Sequence, residues 1–289
     1  INSELPDLTT MVNYRDDSNP MNIILGNTQL RNIHYYDIEG GKTFEGKKHS
    51  RLNINMGYHQ TDNAVAYSLV FDKQTGVSTV QPISVNGNYR IDLGIGYTRP
   101  LDKKEKLSID NQASFNYNHN VDMAMVQGAT QSQRSIVNNW KISNVLKLNY
   151  RLDDNYEFTL HGGGTYYLIK SQREGFSNIH AGDYNIGMNA QITLPWKLQL
   201  TTDLTMFARR GYQLSEMNTT DWIWNAQLSR SFINKKLLVK LQGFDILRQL
   251  SNTQYLMNAQ GRTETWNNSI PRYMMLSLSW RFNVNPKKK

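Results

Sequence analysis

Six histidines, His34, His49, His59, His119, His161 and His180, are the side chains of this sequence best suited to proton transfer or metal binding. No two stand at the spacing of an H-E-x-x-H helix, and there is no cysteine to complete a thiolate set. We therefore expect no metal site and no cofactor. His161-Gly162-Gly163-Gly164 has the composition of a hydrolase oxyanion loop, but no G-x-S-x-G nucleophile elbow accompanies it. Gly94-Ile95-Gly96 fits a strand better than a phosphate cradle. The expectation is a protein that is not an enzyme. Residues suited to holding a ligand are of another kind: His119, Gln172, Arg173, Asp221, Tyr255 and Trp266, all near the longer loops. Tyrosine, tryptophan and amide side chains suit sugars or peptides.

The elements that must carry these residues announce themselves by alternation. In segments 107–118, 140–152, 196–209 and 274–283, apolar and polar residues follow one another singly. One parity set is apolar or aromatic at 22 of 25 positions, the other at 3 of 24. Period two means β-strand with one dry face and one wet face. The runs far exceed the usual strand length of ~5–6 residues. That predicts an all-β fold, an antiparallel up-and-down transmembrane β-barrel. Asn53, Asn55, His59, Arg90, Asp92, Asp110, Gln112, Lys141, Lys147, Arg151, Glu157, His161, Asp203 and Arg209 should line its interior.

Turns come in two kinds that alternate along the chain. Short charged ones lie at 46–48, 102–106, 153–155, 195–196 and 234–236; longer ones at 73–76, 127–133, 174–178, 215–220 and 251–269. Short periplasmic turns and longer external loops are the asymmetry of an outer-membrane barrel. The turns delimit about eleven strands, at 29–45, 49–72, 77–100, 105–127, 133–152, 156–173, 179–194, 197–213, 220–233, 236–250 and 270–283. Apolar parity is even at Leu52, Ile54, Met56 and Tyr58 but odd at Val65, Tyr67, Leu69 and Phe71. We read a bulge at Asp62-Asn63. A two-residue hairpin there would reverse the sidedness of every later turn.

Aromatics add a second pattern. Tyr97, Tyr150, Tyr156, Trp196, Phe232, Trp280 and Phe282 sit near the short turns. Tyr89, Trp140, Tyr166 and Trp224 stand farther along the same strands. At ~3.3 Å per residue and a tilt of ~40°, the separation covers roughly 20–25 Å, the height of a lipid-facing band between two aromatic girdles. No run reaches the ~18 apolar residues of a spanning helix. The net charge of +8 collects at turns and tail, in Lys47-Lys48, Lys103-Lys104, Lys235-Lys236 and Lys287–Lys289. Such clusters suit anionic headgroups at a membrane surface rather than nucleic acid.

The expected layout is an extracellular loop at 1–28, barrel strands at 29–283 and a periplasmic tail at 284–289. Bacterial single-chain barrels have even strand numbers. About eleven spans that start outside and end inside therefore read as half of a 22-stranded barrel.

Several segments resemble the Gram-negative TonB-dependent receptor barrels, and most closely the outer-membrane β-barrel family abundant in Bacteroidetes. They are Gly26-Asn27-Thr28-Gln29-Leu30, Val85-Asn86-Gly87-Asn88-Tyr89, Trp224-Asn225-Ala226, Phe244-Asp245-Ile246-Leu247 and Pro271-Arg272-Tyr273-Met274-Met275-Leu276. Departures are Arg31-Asn32-Ile33 where the family tends to have Lys-Pro-Glu, and seven residues after Phe282. The resemblance implies an outer-membrane receptor with a periplasmic C-terminus, taking up a ligand too large for porins with energy from TonB. It implies as partners the membrane lipid, the barrel assembly machinery, a surface lipoprotein, and a plug domain and TonB acting through a region N-terminal to Ile1. The alternative is a structural or adhesive barrel without an energised cycle.

Overall fold

The computed structural model describes residues 1–126, 128–250, 253–257, 262–266 and 270–282. Strand β1 (Asn2–Glu4), helix α1 (Leu8–Met11), β2 (Arg15–Asp16) and β3 (Asn22–Leu25) precede the first long strand, β4 (Ile33–Glu45). Next come β5 (Arg51–Asp62), β6 (Ala64–Phe71), β7 (Ser78–Val85), β8 (Asn88–Pro100) and β9 (Leu107–Ala124). They are followed by β10 (Gln133–Asp153), β11 (Tyr156–Ser171), β12 (Ile179–Leu194), β13 (Leu198–Arg210) and β14 (Thr220–Phe232). The last are β15 (Leu237–Phe244), β16 (Thr253–Met257), β17 (Arg262–Trp266) and β18 (Tyr273–Trp280).

Eleven long strands and the short β1 form one antiparallel sheet in the order β1-β4-β5-β8-β9-β10-β11-β12-β13-β14-β15-β18. Every expected span is in it, and the order is up-and-down. Register carries the alternation of each strand across the sheet. Trp140 lies opposite Tyr117, Tyr117 opposite Ile91, Ile91 opposite Tyr58 and Tyr58 opposite Ile38. One residue along, Asn118 faces Arg90, Arg90 faces His59 and His59 faces Asp37. A register slip of one residue would exchange the two faces, so pairing is strongly specified. The apolar stripes do not pack into a closed dry core: Ile38 is 70% exposed, Leu160 52%, Ile186 50% and Leu278 68%.

The span expected at 49–72 differs in an informative way. It stays in the main sheet only to Asp62; β6 then pairs with β7 in a second sheet of order β2-β3-β7-β6. Asn63, with φ of 55°, takes the left-handed conformation that a short amide side chain tolerates. Its N–H donates to Asn86 Oδ1 at 2.6 Å, and Gly87, with φ of 104°, turns the returning strand at the same level. The change of apolar parity after Tyr58 is thus the passage of one strand from sheet to sheet. No tight hairpin forms there, and the later turns keep their sides.

Residues 1–28 are more than a loop. They contain β1, which pairs with the start of β4, and β3, which pairs in parallel with β7. Asn27 Nδ2 donates to the Pro82 carbonyl at 2.8 Å, tying this segment to the second sheet. Of the loop expected at 251–269, the described part is the β16–β17 hairpin. Asn283 and the tail at 284–289 lie outside the described residues.

Candidate functional site

The polar face of the main sheet is the candidate site, and it is a lattice of ion pairs and hydrogen bonds between neighbouring strands. His59 on β5 sets Nδ1 2.7 Å from Asp37 Oδ1 on β4 and Nε2 3.4 Å from Asp92 Oδ2 on β8. Glu39 stands 3.6 Å from the same Nε2. Asp92 also accepts from Arg90 Nε at 2.6 Å and from the Asn116 amide. Gly57 makes this convergence possible: a Cβ there would lie 2.9 Å from His59 Nε2. The imidazole therefore leans into space that any larger residue would occupy.

The lattice continues around the wall. Thr98 Oγ1 donates to Asp110 Oδ2 at 2.9 Å, and Asn225 Nδ2 to Asp203 Oδ2 at 3.0 Å. His161 and Thr205 approach to 3.3 Å across Gly187, which lies between them on β12. The register puts all fourteen residues expected to be wet on this one face. Lateral partners of opposite charge stand beside His59, Arg90, Asp92 and Arg209, which suits a hydrated wall.

Near the ends that carry the longer loops, this face changes character. Val137, Ile169, Ile179 and Ala181 form a buried apolar patch, covered by Phe176 and Tyr212 from two loops. The Tyr212 hydroxyl donates to Asp183 Oδ1 at 2.8 Å, and Arg209 Nε lies 3.7 Å from that oxygen. Burial pushes the Tyr212 phenol up from the ordinary tyrosine range, and the bond to Asp183 adds to the shift. Arg173 stacks its guanidinium 5.7 Å from the Phe176 ring centre. Two loops thus fold inward over the wall.

The opposite face carries aromatics at two levels. Tyr89 stacks on Tyr58 at 6.1 Å and on His119 at 4.9 Å, and Tyr117 lies 5.1 Å from Trp140. Near the short turns, Trp280 packs 6.0 Å from Phe282, and Arg230 lies 4.8 Å from the Phe232 ring.

The structure does not gather the six sequence candidates into one site. His119 shares the face of Tyr117 and Trp140, within the upper aromatic row, and its Nδ1 lies 2.7 Å from Asn138 Oδ1. Gln172 and Arg173 line a recess of about 300 Å³ together with Arg134 and Glu174. Asp221 is on the polar face, opposite Phe207, and accepts from Thr219 Oγ1 at 2.9 Å. The backbones of Tyr255 and Trp266 pair with Glu264 and Thr253; their side chains lie outside the described residues. Sequence reasoning assigned no binding role to Asp37, Asp183, Phe176 or Tyr212. Their partners are remote in the chain and emerge only from register and loop folding.

A profile of the outer membrane protein beta-barrel family matches residues 2–164 and, in a second alignment, 129–280. The chain belongs to this family. Comparison with curated proteins returns no match. Membership assigns the faces: in an outer-membrane barrel the apolar stripes meet lipid and the polar lattice lines the interior. The protein is an outer-membrane β-barrel protein.

Proposed function

We propose that this protein forms the C-terminal part of a plugged, 22-stranded receptor barrel that takes up a ligand too large for porins, driven by TonB. The observation that carries the reading is the breadth of the polar wall together with its open edges. Eleven long strands contribute to it, yet no strand pairs with the outer edge of β4 beyond Tyr35 or with the far edge of β18, among the described residues. Unpaired strand edges are untenable in lipid. A comparable set of strands on the N-terminal side would close them and enclose a lumen wide enough for a plug. In this arrangement the short turns and the C-terminus face the periplasm, and the barrel assembly machinery inserts the chain.

Gln172, Arg173, Asp221, Tyr255 and Trp266 belong to the outer half of that barrel, where sugars or peptides, presented by a surface lipoprotein, would first be held; His119, on the lipid-facing side, is not among them. The experiment uses cells that make the whole gene product, supplied with labelled oligosaccharides and peptides above the porin size limit. Depleting TonB or deleting the plug should abolish accumulation while the amount of barrel in the membrane stays constant. Unchanged accumulation would overturn the transport reading in favour of a structural or adhesive barrel.

A further inference from the structure

Two amides interrupt the lipid-facing surface, Asn111 opposite Tyr97 and Asn144 farther in. Asn111 on β9 and Asn144 on β10 share the outward face with Ile109, Phe115, Ile142 and Leu146. On β10, Asn144 stands between the aromatic residues Trp140 and Tyr150, well inside the hydrocarbon band. The pair is reciprocal. Asn111 Nδ2 donates to Asn144 Oδ1 at 3.1 Å and to the Val145 carbonyl at 3.2 Å; Asn144 Nδ2 donates back to Asn111 Oδ1 at 3.3 Å. That accounts for both N–H groups of Asn111 and one of the two on Asn144, which is exposed. An amide N–H pointing into acyl chains is unfavourable, and a lipid tail has no acceptor to offer it.

Beside the pair lies a shallow hollow of about 420 Å³, lined by Ile142, Asn144, Gly162, Gly164, Tyr166 and Tyr184. At Gly162 the nearest atom to an added Cβ would be 3.7 Å away, so the floor is open there, whereas at Gly164 the Tyr184 ring, 3.0 Å from an added Cβ, covers it. Close approach of another protein surface needs such a floor.

We propose that this face, centred on Asn144, is where a second copy of the barrel docks within the membrane. The bilayer argues for this occupant. Copies inserted in one orientation and related by a two-fold axis along the membrane normal keep every residue at its own depth. Asn144 of one copy then meets Asn144 of the other. Each brings one free N–H and spare oxygen lone pairs, so the contact is self-complementary. Ile142 and Tyr166 of each copy would sit against the glycine floor of its mate. The inference depends on membership of the outer-membrane family and not on the uptake reading.

Residues 1–289 contain no cysteine, so an introduced thiol is the only one in this region, and the gene product without it is the blank. Ile142→Cys keeps both asparagines and lies at the rim of the hollow. Leu241→Cys, on the same outer face but on β15, is the control. In outer membranes containing the full gene product, a short bifunctional maleimide should convert Ile142→Cys to a species of twice the mass, at least tenfold more than Leu241→Cys. Asn111→Leu combined with Asn144→Leu in the Ile142→Cys background should lower that yield several-fold, with the heat-modifiable folded band retained. No cross-link, equal cross-linking from both thiols, or a product containing a different protein would each overturn the proposal. If the double leucine variant does not fold, the comparison of the two thiols alone decides.

Discussion

Replacing Gly187 by alanine probes the inner wall most directly. A Cβ on Gly187 would stand 2.5 Å from Thr205 Oγ1, 2.6 Å from the Leu204 carbonyl oxygen and 2.8 Å from His161 Cε1. Ordinary contact needs ~3.5 Å or more. The threonine and histidine can swing aside, giving up their 3.3 Å approach. The Leu204 carbonyl cannot, because it belongs to the ladder that joins β12 to β13. Forcing a methyl group into packed surroundings costs ~1–3 kcal/mol, and the hydrogen bond adds ~1. The expected loss is therefore about 2–4 kcal/mol. Gly96→Ala is the matched control: it lies on the same face, and its nearest neighbour to an added Cβ is 3.7 Å away. The assay is urea unfolding of the full gene product in lipid vesicles, read by heat-modifiable electrophoretic mobility. A Gly187→Ala midpoint no lower than that of Gly96→Ala would refute the idea that β11 and β13 meet over a glycine.

Three further outcomes are expected. Leu160→Arg, on the lipid face, should destabilise by ~2–4 kcal/mol, whereas His161→Arg next to it should lose only the bond to Thr205, ~1 kcal/mol; equal penalties would mean the faces are misassigned. Tyr212→Phe should release the loop at 211–219 from Asp183 and raise its proteolytic cleavage several-fold without disturbing the barrel strands. Because the folded-state phenol is raised, its contribution is complete below the ordinary tyrosine pKa and is lost as pH rises through the folded-state value. Absorbance titration should accordingly find one fewer late-ionising tyrosine in Tyr212→Phe than in the parent protein. Asp102 accepts from the Leu107 and Lys104 N–H groups, and these bonds, chiefly that from Leu107, hold its carboxyl below the ordinary range. Its contribution to the turn at 101–106 exists above the unfolded-chain value and is lost as pH falls through the depressed one. Amide exchange at Leu107 should quicken in acid, and Asp102→Ala should show that fast exchange at neutral pH.

Much of the architecture was legible in the residue order because side-chain direction along a strand is a local property. Alternation from 140 to 152 identifies β10, and its two faces, before any partner is known. His119 shows the same rule working against a proposed role: it shares parity with Phe115 and Tyr117, which already assigns it to the lipid side. The passage at Asn63 left a trace as a change of parity. Its meaning, one strand leaving the barrel for a second sheet with β3 and β7, needed the pairing itself.

Sequence alone therefore determined the all-β class, about eleven spans, the two faces and the alternation of short and long turns, since each follows from neighbours two residues apart. Tertiary structure decided which polar residues meet. His59 reaches Asp37 and Asp92 because register aligns three strands around Gly57, and Tyr212 reaches Asp183 because one of the longer loops folds back over the wall. Such contacts join residues between about twenty and about thirty-five positions apart, beyond the reach of any local period.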